Sequence, residues 1–107
     1  MVECTTVDAF VFEQKNPAPD LIKIDVEGAE VLVLKGALRT LVTCSPSILL
    51  EVHGPTNARA VWEALEGLNY CWMKLTKVGR SPVTAKEGLL SYFTKDSWTH
   101  HFLLTKG

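Results

Sequence analysis

Asp20-Leu-Ile-Lys-Ile-Asp-Val-Glu-Gly-Ala-Glu-Val-Leu-Val-Leu-Lys-Gly-Ala-Leu38 is the stretch on which the fold turns. From Leu21 to Val26 it is aliphatic or β-branched except for Lys23 and Asp25. A short apolar run of this kind suits a strand covered on both faces, as in a parallel sheet. At Gly28 the period changes. Val31, Leu34, Leu38 and Leu41 fall at helical spacing and make one apolar face, with Lys35 and Arg39 off it. Glu30 falls in the first turn, where a negative charge suits the positive end of the helix dipole. Gly36 lies inside this helix at a cost of about 1 kcal/mol relative to alanine, which points to close packing of the helix on a sheet. The stretch reads as strand, tight turn at Gly28, helix.

The chemistry gathers at that joint. Residues two apart in a strand share a face, so Lys23, Asp25 and Glu27 line up with both acids nearest the carboxyl end. Open α/β sheets bind their ligands outside the carboxyl ends of the strands. A second apolar strand, Ser47 to His53, ends with Glu51 and His53 on one face. If the two strands are neighbours, Asp25, Glu27, Glu51 and His53 converge, and these four are the candidate catalytic residues. His53 has the character of a general base, since an unperturbed imidazole titrates near pH ~6.5. Other readings stand beside this one. Lys23 and Asp25 would simply neutralise each other, Glu27 would be a helix-start residue, Glu51 would pair with Lys23, and His53 would be satisfied by a backbone group.

Around this centre the chain reads in order. Val2 to Val7 is strand-like, and Asp8 to Gln14 is a short helix. Asn16-Pro17-Ala18-Pro19-Asp20 is a linker, because alternating prolines forbid regular structure. Thr43 to Pro46 breaks the chain before the second strand, and Gly54-Pro55 stops that strand. Thr56 or Asn57 caps a helix whose Val61, Trp62, Leu65 and Leu68 recur at helical spacing. Arg59 and Glu63 form an exposed pair on it, and Gly67 is a plausible C-terminal cap. Tyr70 to Leu75 is a strand, Lys77 to Asp96 a loop or irregular hairpin with a short strand over Leu89–Phe93, and Trp98 to Thr105 the last strand. His100 and His101 point to opposite faces of that strand and cannot meet on one ligand. The order implies a single α/β domain over residues 1–107 with a mostly parallel sheet.

Composition sets outer limits. The chain has 107 residues with 47% hydrophobic and 21% charged, ordinary for a soluble globular protein. A formal net charge of -1 gives no electrostatic reason to expect nucleic acid or an anionic membrane as partner. No apolar run approaches the ~20 residues that span a bilayer. Cys4, Cys44 and Cys71 are an odd number without C-x-x-C spacing, which fits a reducing, cytoplasmic setting and argues against a disulfide framework or a zinc site. No metal site is expected.

Leu21-Ile-Lys-Ile-Asp-Val-Glu-Gly-Ala-Glu30, followed by Val33-Leu-Lys-Gly-Ala37, resembles the signature of the FkbM family of S-adenosylmethionine-dependent methyltransferases. Thr6-Val7-Asp8 is similar to the Thr-Leu-Asp that family carries upstream, and Leu49-Leu50-Glu51-Val52-His53 to the strand it carries after. The resemblance runs from about Thr5 to His53. It implies a Rossmann-like half-fold, the carboxy-terminal half of a class I methyltransferase domain, with an antiparallel edge pair made by Tyr70–Leu75 and Trp98–Thr105. It also implies S-adenosyl-L-methionine as cofactor and O-methyl transfer to a hydroxyl of a small metabolite or sugar. The glycine-rich turn and the acidic strand end that hold this cofactor in the family have no counterpart here. The implied chain is inactive alone, and Leu21–Val26 becomes an open edge that recruits a second copy or a partner chain. The alternative is a non-catalytic, methyltransferase-like binding or scaffold module that associates through that edge.

Overall fold

The change of period at Gly28 is realised as a strand-to-helix joint, with a helix shorter than its sequence predicts. A computed structural model describes residues 5–107. In it Leu21–Ile24 forms β1, Gly28 takes φ +81° in the turn, and Glu30–Lys35 forms α1. The predicted continuous helix breaks at Gly36-Ala37, and a second one, α2, runs Leu38–Cys44. Gly36 does allow a close approach, but of Thr6 rather than the sheet. A Cβ on Gly36 would lie 3.0 Å from Thr6 Cβ. Asp8 then supplies what the broken helix lacks. Its carboxylate accepts hydrogen bonds from the backbone N–H of Arg39 and Thr40 and from Thr40 Oγ1, at 3.0, 2.8 and 2.7 Å. Those amides belong to the first turn of α2, whose own N-cap, Ala37, has no side chain to offer.

The predicted helix after Asp8 is a single π-helical turn, Ala9–Glu13. Of the strand predicted over Val2–Val7, residues 2–4 lie outside the described ones, Thr5 and Thr6 are not in a strand, and Val7 opens the helical turn. The second predicted strand is β2, Ser47–His53, and it leads into α3, Pro55–Leu65. That helix starts with proline at its first position, where the missing N–H costs nothing, so neither Thr56 nor Asn57 is needed as a cap. Gly67, at φ +82°, follows its end as predicted. Glu63 pairs with Lys86 at 3.4 Å rather than with Arg59. Tyr70–Thr76 is β3, Gly79–Val83 is β4, and Thr99–Lys106 is β5. Lys86–Leu90, α4, takes part of the place of the strand predicted over Leu89–Phe93, because Leu89 is buried in the core through helical register.

The architecture is mixed α/β, but the sheet is not mostly parallel. Among the described residues its five strands run in the order β1-β2-β5-β3-β4, and only β1 and β2 pair in parallel. β5 inserts between β2 and β3, antiparallel to both. The ladder that β1, β2 and β3 would otherwise continue is therefore interrupted. The predicted pairing of Tyr70–Leu75 with Trp98–Thr105 is present as β3 with β5, but the outer edge belongs to β4. The helices pack on one face. Ile48, Leu50, Val52, Phe102 and Leu104 meet Leu34, Leu41, Val61 and Leu89 there, all fully buried. Each large aliphatic side chain so buried contributes about 1.5–3 kcal/mol. Along β2 burial alternates, with Leu49, Glu51 and His53 on the opposite, half-open face. Among the described residues β1 is an edge strand with Ile22 and Ile24 turned to the core and Leu21 and Lys23 exposed, which corrects the expectation of a strand covered on both faces.

Candidate active site

Parallel pairing of β1 with β2 sets Lys23 opposite Leu49 and Ile24 opposite Leu50. The next residues along, Asp25 and Glu51, therefore emerge side by side at the carboxyl ends of the strands. His53 lies two positions further on the same face as Glu51. One donor atom from each of Asp25, Glu51 and His53 lies within 4.8 Å of the others. Three of the four predicted site residues are thus brought together. Glu27 is not among them: it lies in the exposed turn and contributes to the field on His53 from nearby.

The alternative pairings of these residues are not what the structure holds. No ion pair of Lys23 occurs among the described residues, so neither Asp25 nor Glu51 is neutralised by it. The neighbouring Asp25 carboxyl, then burial, then the Asp25 charge push the Glu51 carboxyl above the ordinary carboxylate value. The nearby His101 and His53 pull the other way. His101 Nε2 stands 3.7 Å from Glu51 Oε2, whereas His100 turns to the opposite side, against Phe93 and Ser97.

The residue that organises His53 is Glu30, from the first turn of α1. Its Oε1 accepts hydrogen bonds from His53 N–H at 2.9 Å and from His53 Nδ1 at 2.7 Å, and its side chain is completely buried. This hydrogen bond raises the affinity of His53 for a proton. Burial opposes the shift, and the charges of Glu30, Glu51 and Glu27 reinforce it. With Nδ1 held, Nε2 is left facing Glu51 Oε1 at 3.5 Å. The result is a carboxylate–imidazole pair of the kind that fixes a histidine's tautomer and orientation. Sequence reading assigned Glu30 only to the helix dipole. A signal was available, since Glu30 precedes Leu34 by four and so shares its apolar, inward-facing register.

Two cavities border the cluster. One of about 550 Å³ is lined by Asp25 and Glu51 together with Lys23, Lys74, Lys77 and His101. The other, about 460 Å³, is lined by His53, Glu27, Asn57 and Trp98. Gly54 makes the second one possible. It holds φ +84°, and a Cβ there would come within 2.7 Å of the Trp98 ring. Gly54 N–H donates to Trp98 O at 2.8 Å, and Asn57 Nδ2 donates to His53 O at 2.7 Å, so the wall of this cavity is tied to the cluster by backbone.

A carboxylate–imidazole cluster thus stands at the carboxyl ends of the two parallel strands of a mixed α/β sheet. The model of the FkbM methyltransferase domain matches residues 1–71, about two-thirds of the 107-residue chain, and the chain belongs to that family. The match takes in β1, β2, α3 and every residue of the cluster. No curated protein and no solved structure matches the chain significantly.

Proposed function

We propose that this chain carries the acceptor side of an S-adenosylmethionine-dependent O-methyltransferase, with a hydroxyl of a small metabolite or sugar as acceptor. The observation that carries the reading is the buried Glu30 carboxylate holding His53 Nδ1 at 2.7 Å, which leaves Nε2 presented beside Asp25 and Glu51. Methyl transfer to oxygen asks little of a protein beyond aligning the acceptor and removing its proton. The acceptor hydroxyl hydrogen-bonds the cluster from either cavity, and its proton passes to Nε2 of an imidazole whose other nitrogen is already held. Trp98, more than half exposed, offers an apolar plate for a sugar or similar ring.

The described residues do not themselves fit S-adenosylmethionine. The two strand-to-helix turns at the cluster carry one glycine each, Gly28 and Gly54, and His53 already faces Glu51 with one ring nitrogen and holds Glu30 with the other. We take the fold as the carboxy-terminal half of a Rossmann-like sheet. The cofactor is then held with the help of a chain docked along β1, either a second copy that completes the site across the interface or a partner chain. Cys44 and Cys71, both unpaired, suit a reducing compartment such as the cytoplasm.

The test is transfer of an isotopically labelled methyl group from S-adenosylmethionine to a panel of sugars and polyols, over protein concentrations that span self-association. The expected product carries the label on oxygen, as a base-stable ether. His53→Gln should lower the rate roughly 10²-fold or more, the scale of a positioned base. Label on nitrogen or carbon, or transfer indifferent to His53→Gln, overturns the reading. A second reading, a non-catalytic module, is favoured by the exposed β1 edge and follows if no transfer occurs at any concentration while association persists.

A further inference from the structure

We propose that Asp25, Glu51 and His53 bind a divalent transition-metal cation. The donor set comes first. Two carboxylates and one imidazole offer atoms that all lie within 4.8 Å of one another, and His53 Nε2 is 3.5 Å from Glu51 Oε1. Bonds of about 2.1 Å to a common metal place neighbouring donors roughly 3–3.5 Å apart, so this separation already suits two ligands of one ion.

The second observation is Glu30. A metal-ligating histidine donates its other ring N–H to a carboxylate or carbonyl, which orients the ring and raises its basicity. Glu30 does this to His53 Nδ1. Its remaining oxygen, Oε2, is buried with no hydrogen-bond partner among the described residues, on a side chain that is 0% exposed. An unpaired carboxylate oxygen out of water is costly unless positive charge stands nearby. A cation on Nε2, one imidazole away, supplies that charge.

The local charge points the same way. Asp25, Glu27, Glu30 and Glu51 surround His53 with no lysine or arginine ion pair among the described residues. Asp25 and Glu51 emerge side by side at the ends of β1 and β2 with His53 against them, and two neighbouring carboxylates favour a cation between them. Carboxylate with imidazole selects Mn²⁺, Fe²⁺, Co²⁺ or Zn²⁺ over Ca²⁺ and Mg²⁺, which favour all-oxygen sites. Three protein ligands leave positions open toward the two cavities for water and for an acceptor oxygen. The consequence for mechanism, though not the binding itself, rests on the proposed methyltransferase reading. With the ion in place Nε2 would be a ligand and not the base; the cation would acidify the acceptor hydroxyl, whose proton would pass to water in the open cavities.

The experiment is Mn²⁺ titration of the chelator-treated full chain, followed by electron paramagnetic resonance and calorimetry with no cofactor or acceptor present. One ion per chain is expected, held at micromolar concentration and resistant to millimolar Mg²⁺. His53→Gln and Glu51→Gln should weaken it at least tenfold. Glu30→Gln, which touches no metal, should weaken it roughly 10–100-fold, whereas Glu63→Gln should leave it unchanged. Should the buried-site variants unfold, Asp25→Asn keeps the test decisive, because Asp25 is exposed and its loss should still weaken binding tenfold. Absence of saturable binding up to millimolar Mn²⁺, or binding that survives Asp25→Asn and His53→Gln intact, overturns the proposal. Because neither cofactor nor acceptor is in the assay, a chain that binds Mn²⁺ but never transfers methyl refutes the proposed function and leaves the metal site standing.

Discussion

Glu30 shows how much one side chain can decide. It is a charged residue with no exposure, tolerated because His53 gives its Oε1 both a backbone and a ring N–H. Glu30→Ala leaves those donors buried without a partner, and should cost about 2–4 kcal/mol in chemical denaturation. Glu30→Gln keeps an acceptor and should cost about half as much or less. Equal losses for the two substitutions would show that volume, not the hydrogen bonds, holds the site. Asp25 predicts the reverse pattern. It is exposed and unpaired with Lys23, so Asp25→Asn should change stability by no more than about 0.5 kcal/mol while lowering turnover. Gly54 is the third case. Alanine there meets both a φ of +84° and the Trp98 ring at 2.7 Å. Gly54→Ala should destabilise by about 1–3 kcal/mol and red-shift tryptophan emission. Adding Trp98→Ala should restore only the steric part of that loss.

At the scale of elements, α2 depends on a residue that is remote in sequence. Asp8 caps its first turn from 32 residues away. Asp8→Ala should cost about 0.5–2 kcal/mol, the range for losing an N-cap. Burial pushes the Asp8 carboxyl up, but the bonds from Thr40 Oγ1, Thr40 N–H and Arg39 N–H, with the Arg39 charge, hold it below its ordinary value. A carboxyl lowered on folding binds its proton less readily in the folded chain, so its contribution is complete above the unfolded value, near pH ~3.9, and fades as pH falls through the lowered folded one. Thermal melts between pH 6 and pH 2 should therefore show the native chain losing its advantage over Asp8→Asn below about pH 4. A constant difference across that range would remove Asp8 from the stability of α2.

For the whole molecule the decisive feature is a sheet with one face covered by helices and, among the described residues, an unpaired edge at β1. Among the described residues β1 has a partner on one side only, and Leu21, its first residue, is 56% exposed. Unpaired strand groups of this kind recruit other strands. The chain should self-associate in sedimentation velocity, and Leu21→Lys should shift it toward monomer. A monomer whose Ile22 and Ile24 amides exchange slowly would mean that the edge is already covered within the chain.

What the sequence determined by itself is local. Aliphatic runs ending at Gly28 and Gly54 placed β1 and β2, and the period of two within them put Glu51 and His53 on one face. Helical spacing placed Val61 and Leu65 in the core. These readings held because each depends on the few residues either side of it. The tertiary structure decided what depends on distant partners. Local pattern could not show that β5 would enter between β2 and β3, because any half-buried strand alternates alike whether its neighbour is parallel or antiparallel. The helix break at Gly36 came from Thr6 packing against it and Asp8 capping the turn beyond. Glu30 read as a dipole residue until folding brought His53, 23 positions later, within 2.7 Å of its carboxylate. A charge can be buried only where its partner is delivered, and that delivery is made by the packing of α1 against the end of β2.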